Sequence, residues 1–330
     1  MSTPPVFELP KPELGEWRAG NTGTEGVWRF DSGQPGPRVM ISALVHGNEL
    51  CGAWGLVGLL AAGVRPQKGS LTLVLANLAA FDKFDPAHWD DSRFVDEDLN
   101  RVWQADKLAD PNTTERRRAL QLLPFVNDCD WLLDLHSMSD ACEPLQLAGM
   151  QPRNLALAQR LGAPAHVVVD AGHPSGTRLR DLGRFGADDG AGRRSPGDDA
   201  LALLVECGFH GALSSRDIAR DQCVRFLTTA GTLDMASAAA LLPGWRGPDA
   251  PQQWAIEVSG PVVARSAGFK FNRPLAGLEV LPLAGTLIGD NDGEPVHTPY
   301  DDCVMVMPYT RPSKPGVTVL RFARRRLLGA

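Results

Sequence analysis

Residues 38–49 read RVMISALVHGNE, and the change of character within this stretch decides the fold. Its first seven residues, 38–44, are β-prone and follow the turn-forming Gln34-Pro35-Gly36-Pro37. From Glu49 to Ala62 the apolar residues Leu50, Ala53, Leu56, Val57, Leu60 and Ala61 recur with the spacing of one helix face. A strand therefore passes into a helix through HGNE, His46 to Glu49. In open α/β sheets ligands bind beyond the carboxyl ends of the strands, and His46 stands at such an end.

The same alternation continues outward. LTLVLA (71–76), WLLDL (131–135), residues 165–169 and LALLV (201–205) read as short buried strands. Helices are predicted over 113–126, capped by Asn112 or Thr113 ahead of Glu115, and over 215–241. Residues 81–103 are polar and aromatic without a period and read as a long functional loop. The glycine-rich stretch Asp181 to Gly197 reads as a surface loop. Strands alternating with helices predict a largely parallel or mixed sheet covered on both faces.

The composition changes at residues 242–253, LPGWRGPDAPQQ, which read as a linker. Beyond it WAIEV, PVVAR, CVMVM and VTVLRF are β-prone, separated by turns such as Asp292-Gly293, with no helix evident. The expected division is a catalytic α/β domain over 1–245 and a smaller all-β domain over 246–330.

At 330 residues, 43% hydrophobic and 22% charged, the chain is an ordinary globular protein rather than a disordered or fibrous one. Its net charge of -6 offers no basic footprint for nucleic acid. The short cluster Arg321, Arg324, Arg325 and Arg326 reads as a solvated face. The proline-rich, acidic first residues do not resemble a signal peptide. The longest apolar run, 53–64, is broken by glycines and falls short of the roughly 20 residues a membrane helix needs. A soluble, cytoplasmic protein is expected. None of the six cysteines forms a CxxC pair, and most lie in apolar stretches, so buried free thiols in a reducing compartment are expected. Any metal must then use histidine and carboxylate.

His46 and Glu49 are three residues apart, so one turn of backbone can aim both at a common point. Catalytic zinc takes three protein ligands and leaves a fourth position open. DLHS, 134–137, ends the run WLLDL, which places His136 where another strand leaves the sheet. If the two strands are neighbours, His136 completes a His-Glu-His set for one zinc ion per chain, with Asp134 able to orient it. His88, His166, His173 and His297 have no partner pattern, whereas His210, after ECGF, is close enough in sequence to belong near the site.

HGNE, DLNR (98–101), DLH (134–136) and VECG (205–208), in that order, resemble the succinylglutamate desuccinylase/aspartoacylase family, which is related to the zinc carboxypeptidases. The resemblance spans residues 46–208, and the downstream β segment also fits it. It implies a carboxypeptidase-like three-layer α/β/α domain with a β domain capping the site. It also implies that His46, Glu49 and His136 bind zinc, and that Asn100 and Arg101 grip a substrate carboxylate. In the same reading Arg93 polarises the scissile carbonyl, Glu206 is the catalytic carboxylate, and Tyr300 in TPYDD contacts substrate. The family's further carboxylate-binding arginine has several counterparts here: Arg178, Arg180, Arg184, Arg193 and Arg194. Residues 282–308 also look like a lipoyl-type hairpin, but lack the lysine at the turn and read as scaffold.

These residue types suit amide hydrolysis. Zinc lowers the pKa of bound water to about 7, a carboxylate can relay the proton to the leaving nitrogen, and a guanidinium binds a carboxylate through two parallel bonds. The expected activity is removal of an acyl group from a small N-acyl amino acid bearing a carboxylate, with no nucleic acid or membrane partner and self-association left open. The alternatives are a zinc carboxypeptidase acting on peptide C-termini, and a non-catalytic binding protein on the same fold.

Overall fold

The computed structural model describes residues 6–186, 200–311 and 313–329. In chain order its strands are β1 (Val27–Asp31), β2 (Arg38–Ala43), β3 (Ser70–Leu75), β4 (Trp131–Met138), β5 (Leu145–Leu147), β6 (His166–Val169), β7 (Leu201–Phe209), β8 (Trp254–Val263), β9 (Lys270–Phe271), β10 (Val280–Leu281), β11 (Leu287–Asn291), β12 (Glu294–His297), β13 (Cys303–Val306) and β14 (Thr318–Leu327). The helices are α1 (Leu50–Ala61), α2 (Leu78–Asp82), α3 (Ala105–Ala109), α4 (Thr114–Asp128), α5 (Pro152–Leu161), α6 (Leu213–Ala230) and α7 (Met235–Leu241).

Eleven strands form one mixed sheet in the order β1-β3-β2-β4-β7-β5-β6-β8-β14-β13-β10. The central pairs β3–β2, β2–β4 and β4–β7 are parallel, so their carboxyl ends share one edge. Strand alternation sorts side chains onto two faces. Ile41, Leu133, Leu135, Leu203 and Val205 pack with Leu50, Leu56 and Leu59 of α1 and Phe226 of α6. Met40, Leu132 and Ala202 turn the other way and pack with Leu122 and Val126 of α4. The result is the three-layer mixed α/β fold expected from the alternating segments.

The C-terminal strands continue this sheet. β8 pairs in parallel with β6, and β14 and β13 follow. One apolar cluster joins Leu145, Val168 and Leu204 to Ile256, Val304 and Ala323. The β11–β12 hairpin turns through Asp292 and Gly293, both with positive φ (59° and 85°), as the tight hairpin turn requires.

Several elements differ from the sequence reading. The predicted helix over 215–241 is two helices, because Gly231 adopts a left-handed cap (φ 73°) and Asp234 then caps α7. β1, β5 and α5 lie in stretches given no element. Residues 187–197 of the predicted Asp181–Gly197 loop lie outside the described residues, and Arg193 and Arg194 with them. Five cysteines are buried, Cys142 is half-buried, and all six are free thiols. Among the described residues no helix is long and apolar enough to cross a membrane.

Candidate metal centre

Register alone builds half of the site. In the parallel pair β4–β7, Leu132 lies opposite Ala202, Asp134 opposite Leu204, and His136 opposite Glu206. These are alternate residues and share one face. His136 and Glu206 thus stand side by side at the carboxyl edge, and Asp134 lies behind His136.

The other half comes from β2. The strand ends at Ala43, and Leu44 takes a positive φ (59°) that bends the chain toward His46. Glu49 occupies the cap position of α1 but makes no side-chain cap hydrogen bond. Its carboxylate turns instead to the histidines. His46 Nδ1 lies 2.8 Å from Glu49 Oε1, and His136 Nδ1 lies 2.7 Å from Glu49 Oε2. All three residues are buried, and their ligand atoms fall within 4.8 Å of one another.

The set fits a metal ion. Two imidazole nitrogens and a carboxylate oxygen are the donor chemistry of a zinc site with one open position. Glu49 Oε2 is buried and makes no hydrogen bond despite its closeness to His136, which leaves a lone pair for a cation. The distal nitrogens are already fixed: His46 Nε2 is 2.9 Å from Asp98 Oδ1, and His136 Nε2 is 2.9 Å from Asp134 Oδ2. Carboxylates behind ligating histidines set tautomer and orientation. Burial alone would raise the Glu49 carboxyl, but the two imidazoles hold it well below the usual range.

Gly47 lets the loop of residues 81–103 close on this centre. A Cβ there would meet Ala80 C at 2.3 Å and Ser92 O at 2.4 Å. The loop is shaped by Glu115 of α4, which accepts backbone N–H bonds from Val95 (2.7 Å), Asp96 (3.0 Å) and Glu97 (3.2 Å). It delivers Arg93, whose Nη2 is 3.0 Å from Asp98 Oδ2 and 2.9 Å from His46 Nε2, and whose Nη1 is 3.6 Å from Glu49 Oε1. Glu206 is buried, with Oε2 lacking a hydrogen-bond partner. Burial, reinforced by the charge on Glu49, pushes its carboxyl up to about 8.

One cavity opens over these groups. His46, Glu49, Arg93, Asn100, Arg101, His136 and Glu206 all line it, so the sequence candidates other than Tyr300 meet in one place. Asn100 Oδ1 accepts from Leu179 N (2.8 Å), which fixes the side chain and leaves its amide N–H groups to serve a ligand. Tyr300 is not among the lining residues. Its hydroxyl lies 2.6 Å from Ser259 Oγ, and the Arg324 guanidinium covers its ring at 3.6 Å. Tyr309, with Met307 and Pro308, lines the cavity instead.

Of the described arginines named for a further substrate contact, only Arg178 lines this cavity, and Asp170 and Asp181 hold it. His210 bonds Ser137 Oγ through Nδ1 (2.7 Å) and packs on Trp89, beside the centre but outside the lining. His173, unremarkable in sequence, does line the cavity. Asp98 is the contributor that sequence reasoning passed over, although it opens the DLNR motif.

The family model described as "Succinylglutamate desuccinylase/Aspartoacylase catalytic domain" matches residues 35–189. Over these 155 of its 330 residues the chain is similar to the succinylglutamate desuccinylase/aspartoacylase family. It is 35% identical over 140 residues to a protein named "Probable aspartoacylase" of Parasynechococcus marenigrum, covering 39% of this chain and 45% of that one. It is 30% identical over 145 residues to a succinylglutamate desuccinylase of Photorhabdus laumondii, covering 39% and 42%. The chain therefore spans less than half the length of the curated relatives it matches. Among solved structures, a succinylglutamate desuccinylase/aspartoacylase from Rhodobacter sphaeroides superposes with a TM-score of 0.61 at 19% identity, over 89% of this chain and 87% of that one. The Vibrio parahaemolyticus succinylglutamate desuccinylase gives 0.63 at 18%, over 91% and 86%. These likenesses, at under 20% identity, show a shared fold over most of the chain.

Proposed function

We propose that this protein is a zinc-dependent amidohydrolase that removes the acyl group from a small N-acyl amino acid. The observation that carries the reading is the convergence of the His46–Glu49–His136 set, Glu206, Arg93 and Arg101 on one cavity. The names of the relatives, aspartoacylase and succinylglutamate desuccinylase, support the same reaction class.

His46, Glu49 and His136 would hold the zinc. When bound there, it is a Lewis acid that polarises the acyl carbonyl and makes hydroxide available at neutral pH. Glu206, in the adjacent strand, takes the proton of the attacking water and passes it to the departing nitrogen. Its burial keeps it basic enough for the first transfer and acidic enough for the second. Arg93, held by Asp98 beside His46, meets the negative charge that develops on the carbonyl oxygen. Arg101 and the Asn100 amide bind a substrate carboxylate. Arg101 is well placed for this, since its one side-chain hydrogen bond goes to the Asn100 carbonyl oxygen (2.7 Å) and no carboxylate among the described residues pairs with it.

Leu275, Met307, Tyr309 and Arg321 from the C-terminal segment line the same cavity as the metal set. This supports a small acyl amino acid over an extended peptide. Zinc-loaded protein assayed against N-acetyl and N-succinyl amino acids beside short peptides tests the reading. Release of amino acid from the acyl substrates is expected, with loss of turnover in Glu206→Gln. Cleavage of peptides alone would overturn it in favour of a carboxypeptidase, and no cleavage of either class would leave a binding protein.

A further inference from the structure

Arg93 is held from both sides. Glu115 fixes the residues after it, and the turn before it, Trp89–Ser92, is fixed from a distant part of the chain. Arg93 N donates to Asp90 O (3.2 Å), and Arg93 O accepts from Gly47 N (3.1 Å). The place of the turn therefore sets the place of Arg93 against the metal set. Trp89 opens the turn, and its ring packs with Phe7 (5.8 Å), Phe209 (6.0 Å) and His210 (5.3 Å). The Arg311 guanidinium lies over the same ring at 4.5 Å and pairs with the Asp90 carboxylate.

Arg311 comes from the C-terminal segment. The chain leaves β13 at Val306, and Met307 takes a positive φ (50°), which few residues other than glycine adopt. Tyr309 N then donates to Val319 O of β14 (2.8 Å), which ties the segment down. Met307, Pro308 and Tyr309 wall the cavity, and Arg311 follows just outside it. From there Arg311 Nη2 donates to Ser139 O (3.3 Å), and Thr310 Oγ1 donates to Asp140 Oδ1 (2.8 Å). Ser139 and Asp140 belong to the loop between β4 and β5 and line the cavity as well. One guanidinium thus joins three segments that meet at the site: the Trp89–Ser92 turn, the β4–β5 loop and the C-terminal wall. A planar fork can pair with a carboxylate, donate to a carbonyl and stack on a ring at once, which an ammonium cannot reproduce.

We propose that Arg311 is a positioning residue that clasps these three segments together and, through Asp90, holds Arg93 where charge develops on the scissile carbonyl. This rests on the deacylase reading above. The path is short: the Asp90 side chain meets Arg311, and its carbonyl oxygen accepts from Arg93 N. Because the clasp needs the C-terminal wall seated against the turn, closure of the cavity and placement of Arg93 become one event. Without Arg311 the turn keeps its aromatic packing but loses the restraint on Asp90, and Arg93 drifts from the carbonyl oxygen.

The test is steady-state kinetics on N-acetyl and N-succinyl amino acids, with zinc quantified on each sample. Arg311→Met is expected to lower kcat about 10- to 100-fold, since a misplacement of about 1 Å can cost the larger figure. KM should change less than about threefold, and zinc content should hold. Arg311→Lys, which keeps a charge beside Asp90, should recover part of the loss. Arg93→Met removes the group being positioned, so adding Arg311→Met to it should cost less than about threefold more. An unchanged kcat in Arg311→Met, or the same loss with Arg93 present and absent, would overturn the proposal. If the unaltered enzyme turns over no acyl amino acid, the deacylase reading fails by itself, and hydrogen exchange decides the clasp. The amides of Asp91, Arg93 and Gly47 are the donors within and onto the turn, at 3.0, 3.2 and 3.1 Å from their acceptors. Exchange at least about tenfold faster there in Arg311→Met upholds the clasp, and unchanged exchange overturns it.

Discussion

His136 and Glu206 face each other across one step of a parallel ladder, which sets the proposed metal ligand beside the proposed proton carrier. In the proposed mechanism, replacing Glu206 by Gln keeps shape but ends proton transfer. Zinc content should hold while kcat falls about 10²- to 10⁴-fold, measured by steady-state kinetics with metal quantified on the same sample. Glu206 must be ionised to accept a proton, so activity should rise with pH. Burial sets its carboxyl at about 8 against an ordinary 4.5. A cation on the neighbouring triad draws it downward, and the ascending limb of kcat/KM should therefore fall between these values. Asp98 acts on two groups at once, His46 and Arg93. Asp98→Asn should weaken zinc binding about 10- to 100-fold, read by competition with a chromophoric chelator, and should also lower kcat at saturating zinc. At this scale the candidate ligands were legible because strand ends and a three-residue spacing are local properties. Asp98 and His173 were not, since their places at the site come from loop conformation rather than from local spacing.

The element that matters most is the loop of residues 81–103, which is held from outside itself. Glu115, fully buried in α4, receives three backbone N–H bonds from residues 95–97 and a fourth bond from Asn77 Nδ2 (3.0 Å). Glu115→Ala leaves these donors without acceptors. It should cost about 1–3 kcal/mol in urea unfolding and lower kcat through a displaced Arg93, with zinc affinity little changed. Sequence placed Glu115 only in the first turn of a helix, where it is also a favourable end charge. The helix itself was readable, and Thr113 does cap it, accepting from Arg116 N at 3.2 Å. The break between α6 and α7 had its signals in Gly231 and Asp234, outweighed by the apolar spacing on either side. α5 was announced by Pro152 at its start and Gly162 at its end, a pattern with a physical basis. β5, with three residues, carried too few to separate from loop.

Across the whole molecule the layers followed from local alternation, but the continuity of the sheet did not. The pairing of β6 with β8 joins residues nearly ninety positions apart, and hydrophobic period says nothing about which edges meet. Packing about the site also links stability to pH. Burial foremost, with the nearby Arg93, pushes His210 down to about 3, well under the ordinary 6.5. The unfolded chain then binds a proton at His210 that the folded chain refuses. The stabilisation is complete above pH 6.5 and is lost as pH falls toward 3. Between pH 6.5 and 5 this amounts to about 2 kcal/mol. Urea titrations at the two pH values should show it, and His210→Asn should flatten the dependence.

Zinc content after exhaustive dialysis, compared between the unaltered chain and His136→Ala, tests the central claim most directly. One ion per chain in the first and close to none in the second is the expected result. An ion retained without His136, or no ion in the unaltered chain after zinc loading, would contradict it.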